Sequence, residues 1–199
     1  MNSKDGRDLV ILAGPNGAGK STVASFLLKN RSIKAFLNAD IIASGISTEQ
    51  GQSDIQAGRI MLESLWKSLA DRRSVAFEST MSGRSWGKLL SEAKKAGYET
   101  TICYVAVTSP EIAVRRVEQR VSLGGHPIPP ATVKRRFYRS LTGFFQYYSK
   151  LVDHWYFFDN SQDKAVLVAL SEKGDNPKIL YPEIFDAYPG RNLKSNKES

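Results

Sequence analysis

The segment that most constrains the fold is Gly14-Pro15-Asn16-Gly17-Ala18-Gly19-Lys20-Ser21. It follows an apolar run that predicts a buried strand and precedes a stretch that predicts a helix from about Gly19 to Asn30. Phosphate oxygens need several backbone N–H groups close together, which requires glycines and a helix N-terminus. A glycine, four residues and then Gly-Lys-Ser therefore predict a phosphate-binding loop. We expect these residues, with Thr22, to bind a nucleotide, Lys20 to contact its terminal phosphates and Ser21 to bind Mg²⁺.

Strands and helices alternate along most of the chain, which predicts an α/β fold with a mainly parallel sheet covered by helices on both faces. The further strands are expected at 35–37, 74–77, 100–107 and 155–159, and the further helices at 53–70, 85–96, 110–123 and 131–148. Residues 165–170 and 178–180 predict a hairpin beside the sheet. We expect residues 1–190 to form a single kinase-like domain with a lid around 110–148, and residues 191–199 to form a flexible tail.

Composition fits one globular domain, since 41% of the 199 residues are hydrophobic and 24% are charged. No apolar run approaches the roughly 20 residues of a membrane-spanning helix, and the first eight residues are too polar for a signal peptide. We therefore expect a soluble, cytoplasmic protein without a membrane partner. The lone cysteine, Cys103, excludes an internal disulfide, and its apolar neighbours predict a buried, inert thiol.

Most of the net charge of +8 lies in one stretch, since residues 115–139 hold seven lysines and arginines and one glutamate. Such a patch indicates a polyanionic partner, either nucleic acid or a small molecule rich in phosphates. A glycine- and proline-rich segment, 124–130, divides the patch between two predicted helices. This arrangement is typical of a lid that closes over a nucleotide and brings an arginine to the γ-phosphate. The alternative is a solvated basic face.

The residues at the strand ends indicate the class of enzyme. The chain lacks the Asn-Lys-x-Asp motif of GTP-binding proteins, and the strand at 74–77 is followed by Glu78. A kinase needs a carboxylate that accepts a hydroxyl proton. Asp40 follows the strand at 35–37, at the sheet edge where ligands of α/β folds bind, although it could instead cap the next segment. Glu78 would bind Mg²⁺ or substrate hydroxyls, and the polar loop after it would hold the acceptor through Thr80, Ser82 and Arg84.

Several short motifs, in this order and spacing, resemble the zeta-toxin family of phosphate-loop kinases over residues 9–160. Besides the loop, they are Asn38-Ala39-Asp40, Ala57-Gly58-Arg59, Phe77-Glu78-Ser79-Thr80, Gly97-Tyr98-Glu99-Thr100, Arg116-Val117-Glu118-Gln119-Arg120-Val121 and Gly124-Gly125-His126. The resemblance implies a kinase that uses ATP and Mg²⁺, and the best-known members phosphorylate the 3′-hydroxyl of the amino sugar in UDP-N-acetylglucosamine. It also implies an antitoxin protein as a partner, because several members are toxins held by one.

The resemblance also implies roles for individual residues. Lys20 and Ser21 match the nucleotide loop, and Asp40 matches the catalytic base. Glu78 and Thr80 match the substrate motif at the end of the strand. Arg120 matches the first lid arginine, and Arg135 or Arg136 takes the place of the second, of which we select Arg136 as catalytic. Arg59 and Glu63 are the substrate-side residues expected on the helix at 53–70.

The sequence is compatible with three alternative functions. The first is a kinase that phosphorylates a nucleotide sugar, with Asp40 as base and Lys20 and Arg120 offsetting charge. The second is a polynucleotide-end kinase that uses the basic patch to hold a phosphate backbone. It is disfavoured because the cations cluster on the lid and not along a groove with aromatic platforms. The third is a binding module in which ATP orders a surface for a protein partner without turnover.

Overall fold

The computed structural model describes residues 7–28, 33, 35–46 and 50–190. The strands are β1 (Arg7–Ala13), β2 (Ala35–Leu37), β3 (Val75–Ser79), β4 (Tyr98–Ala106), β5 (His154–Asp159), β6 (Val166–Glu172) and β7 (Lys178–Ile179). The helices are α1 (Lys20–Leu28), α2 (Ala39–Ser44), α3 (Gln50–Ala70), α4 (Gly87–Lys95), α5 (Pro110–Ser122), α6 (Pro130–Gln146) and α7 (Pro182–Phe185).

The strands form one sheet in the order β2-β3-β1-β4-β5-β6-β7. The first five strands of this order are mutually parallel, and β6 and β7 add antiparallel at the end. The predicted α/β class and the hairpin beside the sheet are therefore confirmed. Because β1, β3 and β4 are central, their carboxyl ends meet at one edge, and the phosphate loop leaves β1 there.

Three details differ from the sequence-based expectations, and two further expectations fall on residues that the structure does not describe. Neither α2 nor α7 is predicted by the pattern, because helices of six and four residues are too short to show a 3.6-residue period. The helix expected at 131–148 ends at Gln146 and is followed by a 3-10 turn, Tyr148–Lys150. The expected end of the first helix at Asn30 and the tail at 191–199 lie outside the described residues.

The core lies on both faces of the sheet. Leu9, Ile11 and Ala13 of β1 belong to the larger cluster, whereas Val10 and Leu12 belong to a smaller one beneath α1. Every one of these five side chains is at most 1% exposed, which is why the β1 sequence is a continuous apolar run and not an alternating one. Cys103 is buried in the smaller cluster, as predicted.

Helix α6 is fixed to the body of the protein by its apolar stripe. Val133, Phe137, Leu141 and Phe144 are buried in the larger cluster. Phe144 contacts the ring of Tyr104 with a 4.4 Å distance between centroids. The aromatic residues therefore serve core packing, as their spacing predicts, and the opposite face of α6 presents its arginines. The chain carries no membrane-length apolar helix within the described residues.

Candidate active site

The phosphate loop, residues 14–19, has a conformation that depends on glycine. Gly14, Gly17 and Gly19 have φ angles of 140°, 77° and 86°, in the region that L side chains rarely adopt. A Cβ at Gly17 would lie 2.2 Å from the carbonyl oxygen of Ala113, at the start of α5. The loop is thus packed so closely against its neighbours that a side chain at this position would displace it.

Lys20, the first residue of α1, is folded against the phosphate loop. Its Nζ donates hydrogen bonds to the carbonyl oxygens of Gly14 (2.9 Å) and Pro15 (3.1 Å) and lies 3.5 Å from Oε1 of Glu78. The residue is only 6% exposed. Burial lowers the pKa of Lys20, while the carboxylates of Glu78 and Asp40 act against this shift. An incoming phosphate group would add negative charge beside this buried ammonium and favour its protonated form.

Glu78, the fourth residue of β3, connects the phosphate loop to the neighbouring strand end. Its Oε2 accepts hydrogen bonds from Oγ of Ser21 (3.2 Å) and from Nδ2 of Asn38 (2.9 Å). Oδ1 of Asn38 in turn accepts from the backbone N–H of Asp40 (2.8 Å), so Asn38 caps α2. The capping role considered for Asp40 is therefore taken by Asn38, and Asp40 lies exposed in the first turn of α2.

Two neighbouring cavities share Asp40 and Asn16. The first has a volume of about 290 Å³, and the residues that line it are Asn16, Gly17, Gly19, Lys20, Ser21, Thr22, Asp40, Glu78, Arg116 and Arg120. The second, about 340 Å³, lies under the segment between α5 and α6, and its lining is Asn16, Ala39, Asp40, His126, Pro127, Ile128, Pro129, Thr132 and Arg136. Asp40 therefore lies between the phosphate loop and the predicted lid.

The arginines of the basic patch have different surroundings. Nη2 of Arg120 donates to the carbonyl oxygen of His126 (2.9 Å), and Nη1 of Arg136 donates to Oδ1 of Asn16 in the phosphate loop (3.2 Å). Arg116 instead bonds the carbonyl oxygen of Asn160 (2.7 Å). The structure thus brings both predicted lid arginines to the site. Arg136 lines the second of these two cavities, whereas Arg135 lines neither.

The other predicted substrate residues divide into two groups. Thr80 and Ser82 hydrogen-bond through their hydroxyls (3.1 Å) in the loop after β3, and the guanidinium of Arg84 lies over the ring of Tyr147. Arg59 and Glu63 are exposed on α3 and line none of the cavities described for this site. Their role in substrate binding stays a prediction.

Two residues of the site were missed by sequence reasoning. Asn38 contacts Glu78, and Asn160 holds the phosphate loop, since its Nδ2 donates to the carbonyl oxygen of Ala18 at 2.8 Å. Asn160 directly follows β5, as Asn38 directly follows β2, so a search for polar residues at the carboxyl ends of the strands would have found both.

Comparison with known proteins agrees with this architecture. A family model described as an AAA domain (AAA_33) matches residues 9–139. An uncharacterized protein of Haemophilus influenzae is 31% identical over 129 residues, which are 64% of this chain and 91% of that protein.

Two solved structures resemble nearly the whole chain. The crystal structure of AvrRxo1-ORF1:AvrRxo1-ORF2 with sulphate ions gives a TM-score of 0.69 at 18% identity, covering 96% of this chain and 66% of that one. The chain thus spans slightly less than two thirds of that protein. The PezAT toxin-antitoxin system of Streptococcus pneumoniae gives a TM-score of 0.68 at 14% identity, covering 96% and 80%. At these identities the likeness shows the fold, and it confirms the kinase-like phosphate-loop fold that the zeta-toxin resemblance implied.

Proposed function

Because the chain belongs to the AAA domain family AAA_33, with an ATP-binding phosphate-loop fold, we propose that it is an ATP-dependent phosphotransferase. It transfers the γ-phosphoryl group of ATP to a hydroxyl group of a small acceptor. One observation carries the proposal: Lys20, Ser21 and Glu78 form a hydrogen-bonded group in a cavity that Asp40 and Arg120 also line. A base and cations thus face the place where a γ-phosphate would lie.

The nucleotide binds with its phosphates on the backbone N–H groups of the phosphate loop and on Lys20. The residues present also fit Mg²⁺, because Oγ of Ser21 and the carboxylate of Glu78 are oxygen donors 3.2 Å apart beside the loop. Bound Mg²⁺ would neutralise charge on the phosphates. The described residues hold no cluster of three His, Cys, Asp or Glu side chains. Mg²⁺ would therefore be held by Ser21 and Glu78 together with phosphate oxygens of the nucleotide.

Asp40 accepts the proton of the attacking hydroxyl. Its exposed carboxylate lines both the first cavity, beside the phosphate loop, and the second cavity, under the segment between α5 and α6. An acceptor in the second cavity would therefore approach the γ-phosphate past Asp40. Arg120 and Arg136 offset the negative charge of the transferring group from the lid side. Glu78, Thr80, Ser82 and Arg84 contribute to acceptor binding from the end of β3, and Arg59 and Glu63 do so from α3.

We propose a nucleotide sugar such as UDP-N-acetylglucosamine as the acceptor. The zeta-toxin-like fold supports this choice, as do the arginines around both cavities. The likeness to the PezAT toxin-antitoxin system further supports an antitoxin protein as the partner of this chain. If so, expression of the chain alone slows bacterial growth, and expression of the Asp40→Asn variant does not.

The decisive experiment measures ATP consumption and product formation by the purified protein with Mg²⁺. The acceptors are UDP-sugars, mononucleotides, NAD and an oligonucleotide with a 5′-hydroxyl. Asp40→Asn should lower the transfer rate by about 10²–10⁴ while ATP binding stays nearly unchanged, because loss of a general base affects only the chemical step. Near-normal turnover by this variant would refute the role of Asp40.

The acceptor that is consumed separates the three hypotheses. Phosphorylation of a UDP-sugar supports the proposed function. A phosphorylated oligonucleotide would assign the basic patch to nucleic acid, and oligonucleotide binding would then weaken steeply with salt. Tight ATP binding without consumption of any acceptor would favour a nucleotide-gated binding module.

A further inference from the structure

A third cavity, of about 370 Å³, lies between the loop after β3 and the second half of α6. The residues that line it are Met81, Ser82, Gly83, Arg84, Tyr138, Arg139, Thr142, Gly143, Gln146 and Tyr147. None of them belongs to the phosphate loop or to the two cavities around Asp40. The residues that line this cavity are therefore not needed for the step assigned to Asp40, and they could contact another part of the acceptor.

The charged side chains that line the third cavity favour an anionic ligand. Its lining includes two arginines, Arg84 and Arg139, and no acidic residue. Neither guanidinium forms an ion pair with a carboxylate in the part of the chain that the structure describes. Guanidinium groups bind phosphate oxygens through paired N–H donors, and hydroxyl and amide groups of Ser82, Thr142 and Gln146 add neutral hydrogen-bonding partners.

Aromatic rings give the cavity a second property. Tyr147 lies under the guanidinium of Arg84, with 5.1 Å between the Cζ atom and the ring centroid. Tyr138 is 51% exposed at the cavity although it is a large aromatic residue. Exposed tyrosine rings provide flat surfaces on which a base or a sugar ring packs. The cavity therefore suits a ligand that combines an anionic group with a ring.

The walls of the cavity are held in place before any ligand binds. The hydroxyl of Tyr148 donates to the carbonyl oxygen of Gly83 (2.6 Å), and Ser140 donates to that of Thr80. Gly143 lies so close to the loop that a Cβ there would be 2.9 Å from the carbonyl oxygen of Met81. These contacts fix the loop after β3 against α6, so little conformational entropy is lost when a ligand binds.

The cavity is also placed to serve the reaction at Asp40. Arg136, which contacts Asn16 of the phosphate loop, lies on the same helix three residues before Arg139, about one turn away. On the other wall, the hydroxyl of Ser82 bonds that of Thr80, which follows Glu78 by two residues. Both walls of the third cavity are thus formed by segments that also carry residues around Asp40, namely α6 and the end of β3 with its loop.

We propose that this third cavity binds the phosphate and an adjoining ring of the acceptor, with Arg84 and Arg139 as the phosphate ligands and Tyr138 against the ring. The inference rests on the proposed phosphotransferase function, and it makes the acceptor a phosphate-bearing ring compound and not a neutral sugar. Arg84 and Arg139 then determine acceptor specificity and take no part in ATP binding.

Acceptor binding tests this assignment independently of catalysis. The protein is saturated with Mg²⁺ and a non-hydrolysable ATP analogue, so that the phosphate loop is occupied, and UDP-N-acetylglucosamine or free N-acetylglucosamine is titrated by calorimetry. Arg84→Gln and Arg139→Gln should each weaken binding of the UDP-sugar about tenfold or more, the effect of losing one charged hydrogen-bonding group. Arg115→Gln removes the same charge from an exposed position outside the cavity and should change this affinity less than about twofold.

Turnover separates this proposal from the proposed function. If a UDP-sugar is phosphorylated and its KM rises in both cavity variants while the KM for ATP stays constant, both proposals stand. If it is phosphorylated with unchanged KM in both variants, or if free N-acetylglucosamine binds as tightly as the UDP-sugar, the cavity assignment is overturned and the phosphotransferase function stands. If binding depends on both arginines but no transfer to any acceptor occurs, the cavity assignment stands and the phosphotransferase function fails.

Discussion

The proposed nucleotide side and the proposed acceptor side of the site are built in different ways. The nucleotide side comes from one contiguous segment, the phosphate loop and the start of α1, whose backbone makes the binding groups. The acceptor side draws Asp40 from α2, Glu78 from β3, Arg120 from α5 and Arg136 from α6. A backbone site requires glycines at fixed spacing, whereas a side-chain site requires only that the strand ends and helices converge.

The two sides also differ in how tightly they are packed. The phosphate loop is wedged against α5, as the 2.2 Å approach at Gly17 shows. The segment between α5 and α6 is open, and Leu123 at its start is 83% exposed. Substitutions in the loop should therefore act through backbone geometry, and substitutions on the lid should act through the loss of single charges.

The largest effect on ATP binding is expected from Gly17→Ala. The new Cβ has no space beside Ala113 and the residue has a positive φ, so the loop must shift. ATP affinity should fall by about 100-fold or more, as measured by calorimetry, if the displacement removes two or more phosphate hydrogen bonds. Gly58→Ala on α3 is the matched control, because nothing lies within 4 Å of its Cβ and ATP affinity should be unchanged.

An effect confined to turnover is expected for the two predicted lid arginines, Arg120 and Arg136. Arg120→Gln and Arg136→Gln should lower kcat by about 10²–10³, because each removes a cation that stabilises the transferring group, while the KM for ATP changes little. Arg135→Gln, on an exposed position of the same helix, serves as control. An equal fall in kcat for Arg135→Gln and Arg136→Gln would mean that the combined electrostatic field of the basic patch stabilises the transferring group, and not Arg136 alone.

The pH dependence of ATP affinity tests the role of Lys20 on the nucleotide side. Burial lowers the pKa of Lys20 from 10.5, and bound phosphate must favour its protonated form. The complex therefore holds more protons than the free protein above that lowered pKa, and affinity should fall as the pH rises towards 10.5. In Lys20→Arg the guanidinium stays charged, so whatever affinity remains should show no such decline.

The smallest effect is expected from Asn160→Ala, which removes the hydrogen bond to the carbonyl oxygen of Ala18. Losing one such bond costs about 1 kcal/mol, so ATP affinity should fall about fivefold with kcat nearly constant. Asn176→Ala, an exposed asparagine in the turn before β7, is the control. A fall in kcat without a change in ATP affinity would contradict a role in holding the loop.

This contrast explains which parts of the molecule the sequence predicts. The parallel strands and α6 follow from apolar runs and a helical stripe, and the phosphate loop follows from its glycines. Asn38 and Asn160 were missed because their roles depend on contacts between residues 40 and 142 positions apart. Arg59 and Glu63 were selected by resemblance alone, and both are exposed on α3, away from its buried stripe of Ala57, Met61 and Leu65.

The lengths of the outermost strands affect how the protein behaves at high concentration. In the described part of the chain the sheet is bounded by β2, with three residues, and β7, with two. Such short edges leave few unpaired backbone groups to which another chain could add a strand. We expect the protein to resist aggregation by edge-to-edge pairing, so its associations with other proteins depend on side-chain surfaces.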